Sequence, residues 1–373
     1  MVKPWNLEQI YDIDFLKQEV GKRFPFYDIK VSPSSVAFYC NIDKDRVEEL
    51  FDSLRRVLLE KNYVPTLRYE GGEYILYIMK RPVKEEKPTW LNIALLAATF
   101  ITTLLTGSLL DMGYSDLQSV PDIYQVFTFK HLLNGAVFFS LPLMTILFVH
   151  EMGHYFISKK HGIRTSLPFF IPVPPILPGF NIGTFGALIS SRDPMPDRKA
   201  LFDVGFSGPL AGFIVALPIT IYGLATSSVI SPHEIANEGG VYLGYSPLFF
   251  ILAVMIHGSG GIAIDLNPVA FAGWIGLLIT SINLLPAGQL DGGHIFRAIL
   301  GEKQRYAGWI AVTIMIFTGW MFFALIIMFL IGMRHPPPLN DTTKIDFKRK
   351  LLFILAILIL VLCFVPFPIY PAG

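Results

Sequence analysis

The chain has 373 residues, of which 53% are hydrophobic and only 16% charged, and its mean hydropathy of +0.52 exceeds that of an average soluble domain. This composition excludes a disordered protein and a collagen, and the net charge of +1 offers no electrostatic footprint for a nucleic acid. The two cysteines, Cys40 and Cys363, are too few and too far apart for a disulfide framework or a cysteine-rich zinc module.

Charged residues are concentrated at the start of the chain. Residues 1–88 carry 15 basic and 15 acidic side chains, which is about half of all the charges. Because a bilayer tolerates few unpaired charges, we predict a soluble domain over residues 1–88 and a membrane domain over residues 89–373. Residues 1–10 contain Glu8 and lack the apolar run of a signal or transit peptide, which favours a cell membrane over a plastid.

The soluble segment shows both helical and strand periodicities. Apolar residues recur every three or four positions in two stretches and alternate in two others, and Gly71-Gly72 is typical of a hairpin turn. The helical stretches are 7–24 and 46–59, and the alternating ones are 29–42 and 65–79. We therefore predict a small α+β domain, without a catalytic motif, that serves as a scaffold or a regulatory domain.

Long apolar stretches follow and predict a polytopic α-helical membrane protein. Each is long enough to cross about 30 Å of hydrocarbon as a helix. The six predicted spans are Trp90–Leu110, Leu132–Ile157, Val204–Thr226, Pro268–Leu285, Trp309–Gly332 and Leu351–Ile369. The apolar stretch Pro247–Ile256 is too short to cross, and we expect it to be re-entrant or interfacial.

Basic residues predict that the N-terminus is cytoplasmic, because they cluster before the first span and after the second and fourth. The last loop disagrees with this assignment. If all six spans are real, five basic residues fall on the outer side: Arg334, Lys344, Lys348, Arg349 and Lys350.

The second predicted span ends in His150-Glu151-Met152-Gly153-His154. The i, i+4 spacing places both imidazoles on one helix face, where they can share a zinc ion. Glu151 can reach a water molecule at the metal without being a ligand, and its predicted role is general base and then proton donor. A chance match is the alternative, but two histidines and a glutamate within an apolar span are costly unless they serve a function.

A catalytic zinc needs a third protein ligand, and the stretch Asn283–Gly292 supplies a candidate. Pro286 and Gly288 should break the fourth span, so that Asp291 points inward as the third ligand near the cytoplasmic face. Asn283 has two open interpretations: a hydrogen-bond donor to a developing oxyanion, or an interhelical hydrogen bond in the bundle.

Together, His150–His154 and Asn283–Gly292 resemble the paired signature of the site-2 protease family of intramembrane zinc metalloproteases. The segments 168–172, 183–187 and 201–212 look like the branch that includes chloroplast gravitropism-linked proteases of plants. The resemblance covers residues 130–300, and no PDZ or CBS domain is recognisable. It implies that the two histidines and the aspartate bind one Zn²⁺ per chain and that the glutamate activates water.

Two further features bear on the site. Gly208 and Gly212 form a small-xxx-small face that predicts close approach of a neighbouring helix. The stretch Ile182–Ser191 is β-prone, so its strand edge can either pair with an unwound substrate or act as a membrane-associated hairpin that shields the site.

The other histidines are not assigned to zinc. We expect His161 to be a solvated helix end, and His294 as a fourth ligand would close the site to water. No partner at metal spacing exists for the remaining four: His131, His233, His257 and His335.

The predicted function is zinc-dependent hydrolysis of peptide bonds in the transmembrane segment of a membrane-protein substrate, within the lipid bilayer. A zinc hydrolase of a lipid-like substrate is the alternative, and it predicts a lipid-lined cavity with no strand edge near the metal. A transporter or pseudoenzyme should show inverted repeats, which the sequence lacks.

Overall fold

We describe the protein from a computed structural model that covers residues 11–43, 46–81, 88–114, 120, 122–176, 182–230, 242–258 and 263–370. The first of these ranges form the predicted small α+β unit, with strand order β1-β2-β4-β3 and antiparallel pairing throughout. Its elements are α1 (Ile13–Gly21), β1 (Phe26–Val31), β2 (Val36–Cys40), α2 (Val47–Glu60), β3 (Tyr63–Glu70) and β4 (Glu73–Lys80).

The N-terminal domain folds because its helices cover one face of the sheet. Leu54 and Leu58 of α2 are fully buried in the same cluster as Phe38 and Leu76 of the sheet. Removal of such side chains from water is the main driving force for a domain of this size. The predicted Gly71-Gly72 turn is confirmed: both residues have positive φ, as a tight β-hairpin turn requires.

The membrane domain is mostly helical, with short two-stranded sheets between its helices. Its helices are α3 (Thr89–Asp111), α4 (Phe129–Gly135), α5 (Leu141–Lys160), α6 (Arg198–Ala225), α7 (Pro247–His257), α8 (Pro268–Asn283), α9 (Asp291–Leu300), α10 (Gln304–Ile316), α11 (Met321–Ile326) and α12 (Phe347–Cys363). Its strands are β5 (Phe169–Pro172), β6 (Thr184–Leu188), β7 (Ser228–Ile230), β8 (Tyr242–Leu243), β9 (Ala263–Asp265) and β10 (Ile369–Tyr370).

Three helical stretches are long and apolar enough to cross a bilayer: Thr89–Asp111, Phe129–Lys160 and Arg198–Ala225. The second of these combines α4 and α5 through a π-helical turn at Ala136–Ser140. The apolar helices α7 and α8 are shorter. The structure is thus that of a helical membrane protein, whereas the predicted number of six spans is not confirmed.

The predicted single span Trp309–Gly332 is wrong. The chain turns between α10 and α11, and the turn residue Gly319 donates a backbone hydrogen bond to Pro366, just beyond the end of α12. At the other end of the hairpin, a Cβ on Gly308 would lie 3.0 Å from the carbonyl oxygen of Pro286 and 3.2 Å from Met333. Hydropathy missed the turn because the turn residues are themselves apolar or small.

The helical hairpin returns the loop after it to the side of the N-terminal domain. Leu67 of β3 donates a 2.8 Å backbone hydrogen bond to Leu339 in that loop. Arg349, at the start of α12, forms a 2.5 Å ion pair with Asp203 near the start of α6. The basic residues of 334–350 therefore lie on the same side as the other basic loops, and the conflict in the predicted topology disappears.

This arrangement predicts the outcome of cysteine labelling. A membrane-impermeant thiol reagent applied to one face of oriented vesicles should react with Lys17→Cys and Lys344→Cys together, because both sites are exposed on the side of the N-terminal domain. Asp122→Cys, which follows α3, should react only from the opposite face. If Lys344→Cys instead reacts from the same face as Asp122→Cys, then Trp309–Gly332 crosses the membrane as a single span.

Candidate metal centre

Three predicted residues converge at one point. The Nε2 atoms of His150 and His154 lie 3.2 Å apart, and the Oδ2 atom of Asp291 lies 3.3 Å from the first and 3.2 Å from the second. Both histidines are more than 90% buried. Two imidazoles and one carboxylate with converging donor atoms are a donor set that zinc accepts in catalytic sites.

Local structure explains this convergence. His150 and His154 are one helical turn apart on α5, so their rings share a face. The predicted break is confirmed: α8 ends at Asn283, Gly288 adopts a positive φ of 52°, and α9 begins at Asp291. The turn lets the carboxylate of Asp291 point across to α5 instead of following the face of α8.

A backbone carbonyl orients one of the imidazoles. The Nδ1 of His154 lies 2.8 Å from the carbonyl oxygen of Val204 on α6. The ring therefore donates from Nδ1, and Nε2 keeps its lone pair for a metal ion. The Nδ2 of Asn283 lies 3.3 Å from the Nε2 of His150, so this amide lies at the edge of the donor group.

Glu151 lies in the same cavity but outside the donor group. Its side chain is buried, and it makes no hydrogen bond or ion pair with any residue that the structure describes. The carboxylate is therefore available to a water molecule or a substrate.

The backbone of α6 lies directly against the metal centre, because glycines occupy the helix positions that face it. A Cβ at Gly208 would lie 2.5 Å from ring carbons of His154, and one at Gly212 would lie 3.1 Å from the Nδ1 of His150. A Cβ at Gly205 would lie 2.9 Å from the carbonyl oxygen of Asp291. The close approach predicted from Gly208 and Gly212 is confirmed, and the imidazoles themselves fill the space between α5 and α6.

The centre opens into a cavity of about 180 Å³. One wall comes from α5, α6 and the turn before α9, and the other comes from β6 and the segment after it. The residues on this second wall are Ala187, Leu188, Ile189, Ser191 and Met195. Four of them lie in the β-prone stretch Ile182–Ser191 that the sequence already indicated, whereas Met195 carries no catalytic group and its position depends on how the loop folds back.

The remaining histidines have varied surroundings. The prediction that His161 is a solvated helix end is wrong. Its Nε2 lies 3.0 Å from Asp203, and three quarters of its side chain is covered. His131 pairs with Asp111 at 2.6 Å, and His257 contacts the carbonyl of Leu224 at 2.8 Å. His233 lies outside the described residues.

His294 lines the cavity without joining the donor group. Its ring packs against that of His335, with 4.3 Å between the centroids. Burial, with the nearby His294 as a smaller cause, lowers the pKa of His335 to about 3. The His335 ring is consequently neutral and packs behind the wall of the cavity.

A family model described as peptidase family M50 matches residues 138–328, just over half of the chain. The chain belongs to peptidase family M50. All five predicted site residues lie within the matched segment, which extends from the π-helical turn before α5 to the end of the helical hairpin. The predicted site-2 protease family and metalloprotease class are thereby confirmed.

Three similar proteins come from plants. This M50 chain is 26% identical to the Arabidopsis thaliana protein named "Probable zinc metalloprotease EGY1, chloroplastic", over 93% of the chain and 68% of that protein. It is 28% identical to the EGY1 protein of Oryza sativa subsp. japonica and 29% identical to EGY2 of Arabidopsis thaliana. Those alignments cover 79% and 80% of the chain, but only 54% and 56% of the relatives. The chain thus spans between 54% and 68% of the length of these proteins.

Proposed function

We propose that the chain is an intramembrane zinc metalloprotease that hydrolyses peptide bonds within or near transmembrane segments of membrane-protein substrates. One observation carries the proposal: a buried His150–His154–Asp291 donor group beside an unpaired Glu151, in a domain of long apolar helices. Membership of peptidase family M50 and the names of the plant relatives support it.

His150, His154 and Asp291 are the proposed zinc ligands. Bound zinc acts as a Lewis acid, which lowers the pKa of water to about 7 and polarises a carbonyl group. Glu151 accepts the proton of the attacking water and delivers it to the amine of the leaving peptide. Asn283 donates from its amide to the oxyanion, since its Nδ2 already lies beside His150.

Removal of the metal gives the first test. Purified protein should contain about one zinc ion per chain and cleave a transmembrane substrate in detergent or vesicles. A chelator should abolish cleavage, zinc should restore it, and helix content by circular dichroism should stay constant. Cleavage that survives complete loss of zinc would contradict the proposal, and magnesium added in place of zinc serves as the control.

We further propose that the substrate binds in extended form along β6. This strand pairs with β5 on one side, and β5 packs against α3. Thr102 of α3 also donates a 2.6 Å hydrogen bond to the carbonyl of Gly183, directly before β6. Among the described residues, the other edge of β6 pairs with no strand, while Ala187 and Leu188 line the cavity. An extended peptide can add to such an edge, and extension exposes the carbonyl that a helix would shield.

The position of β6 favours a peptide over a lipid-like substrate, because the lipid alternative predicts no strand edge near the metal. Photo-crosslinking tests this. A photoreactive residue in place of Phe185, which is 77% exposed on β6, should crosslink to the substrate. The same replacement of Phe322, which is 78% exposed on α11, is the matched control and should crosslink to lipid. Equal crosslinking of substrate at both positions would argue against binding along β6.

For localisation, we propose a multi-pass protein of a cell membrane with a cytoplasmic N-terminus. The basic residues on the side of the soluble domain support this orientation. His154 is less than two turns from Lys159 and Lys160 at the end of α5, which supports a catalytic centre near the cytoplasmic face.

A further inference from the structure

The sheet of the soluble domain continues into the membrane domain as a ladder of backbone hydrogen bonds. Leu67 of β3 donates to Leu339, and Leu339 in turn donates to Met195, both at 2.8 Å. Asn340 donates to Pro196 at 2.8 Å. Residues 339–340 therefore lie as a short strand between β3 and residues 195–197.

Two ion pairs join the same parts of the molecule. Arg81, directly after β4, pairs with Asp193, and both side chains are largely buried. Asp193 also accepts a 3.0 Å hydrogen bond from the backbone of Arg164, in the loop after α5. Lys199, in the first turn of α6, pairs at 2.5 Å with Glu48 of α2, and both remain partly exposed.

The segment held by these contacts is a wall of the catalytic cavity. Ile189, Ser191 and Met195 face the cavity. On the other side, Asp193 and Lys199 contact the N-terminal domain directly, and residues 195–197 reach it through 339–340. The segment also follows β6 directly, the strand proposed to bind the substrate.

We propose that the N-terminal domain is a positioning module that holds residues 189–199 as the substrate-facing wall of the cavity. The inference rests on the proposed protease function and gives the domain a role in it. Arg81 and Glu48 are positioning residues: they touch neither substrate nor metal, and they act through the segment that does face the substrate. Their loss should weaken substrate binding, or shift the bond that is cleaved, without releasing zinc, because His150 and His154 are on α5.

Arg81→Ala is the first test, with Arg56→Ala as its matched control. Arg56 is an exposed arginine of the same domain whose ion pair, with Asp52, stays within α2. In Arg81→Ala, hydrogen exchange at the amides of Leu67, Leu339 and Asn340 should accelerate, zinc content should stay constant, and KM should rise several-fold with little change in kcat. Arg56→Ala should match the wild type in all four measurements.

A charge reversal provides a second test if Arg81→Ala fails to fold. Glu48 and Lys199 are partly exposed, so the folded protein should tolerate the reversed charges. Glu48→Lys and Lys199→Glu should each raise KM and accelerate exchange in 195–197 and 339–340, and the double variant should restore both. Unchanged exchange in Arg81→Ala, an effect on zinc content, or absence of rescue in the double variant would overturn the inference. If hydrogen exchange accelerates in Arg81→Ala but the wild type cleaves no substrate, the proposed protease function is refuted. The contact between the N-terminal domain and residues 193–199 then still stands.

Discussion

Glu151→Gln should keep about one zinc ion per chain and lose nearly all cleavage. The amide is close in size to the carboxylate but cannot accept the proton of water, and general acid–base catalysis contributes roughly 10² to 10⁴-fold to such reactions. Since Glu151 makes no hydrogen bond or ion pair within the described part of the chain, the exchange should leave folding unchanged. Zinc analysis and a cleavage assay on a transmembrane substrate measure the two effects separately.

Glu302→Gln is the matched control, because Glu302 is an exposed glutamate in the short 3₁₀ turn after α9. It should cleave at the rate of the wild type. If Glu151→Gln retains zinc and also cleaves as the wild type does, Glu151 is not the general base. If it loses zinc, the residue acts on the metal centre and not on water.

Gly208→Ala should lose zinc binding and activity together. In an ordinary helix this change stabilises the protein by up to about 1 kcal/mol, because alanine loses less backbone entropy on folding. Here the added Cβ would lie 2.5 Å from ring carbons of His154, so the imidazole must move away from the donor group. Displacement of a ligand by even about 1 Å is enough to impair a metal site.

Gly212→Ala provides a graded comparison, because its Cβ would lie 3.1 Å from the Nδ1 of His150 and needs only a small shift. It should reduce zinc affinity less than Gly208→Ala does. Zinc content and circular dichroism on both variants would separate loss of the site from loss of the fold. Wild-type zinc content and cleavage in Gly208→Ala would show that α6 does not lie as close to α5 as described.

The candidate ligands were accessible to sequence reasoning because their geometry is local. A spacing of four residues on a helix places His150 and His154 together whatever the rest of the fold, and Pro286 with Gly288 marks the break that frees Asp291. The structure brings these residues together, and their catalytic roles remain predictions. The α+β fold of the N-terminal domain was predictable for the same reason, since its periodicities are properties of single elements.

Features that depend on distant parts of the chain were not predictable. Hydropathy identifies the apolar stretch 309–332, but the turn at Gly319 depends on contact with Pro366 beyond α12. His161 looked solvated because its partner, Asp203, is on another helix. The role proposed for the N-terminal domain was equally hidden, since its contacts with 193–199 and 339–340 are made by residues without a catalytic motif.

The glycine face of α6 also bears on what holds the two helices together. Since the rings of His150 and His154 fill the space beside Gly208 and Gly212, the interface between α5 and α6 is packed by protein atoms. Small zinc-binding domains, in contrast, fold only when the metal provides the missing interactions. A chelator should therefore take the metal from this chain without separating α5 from α6.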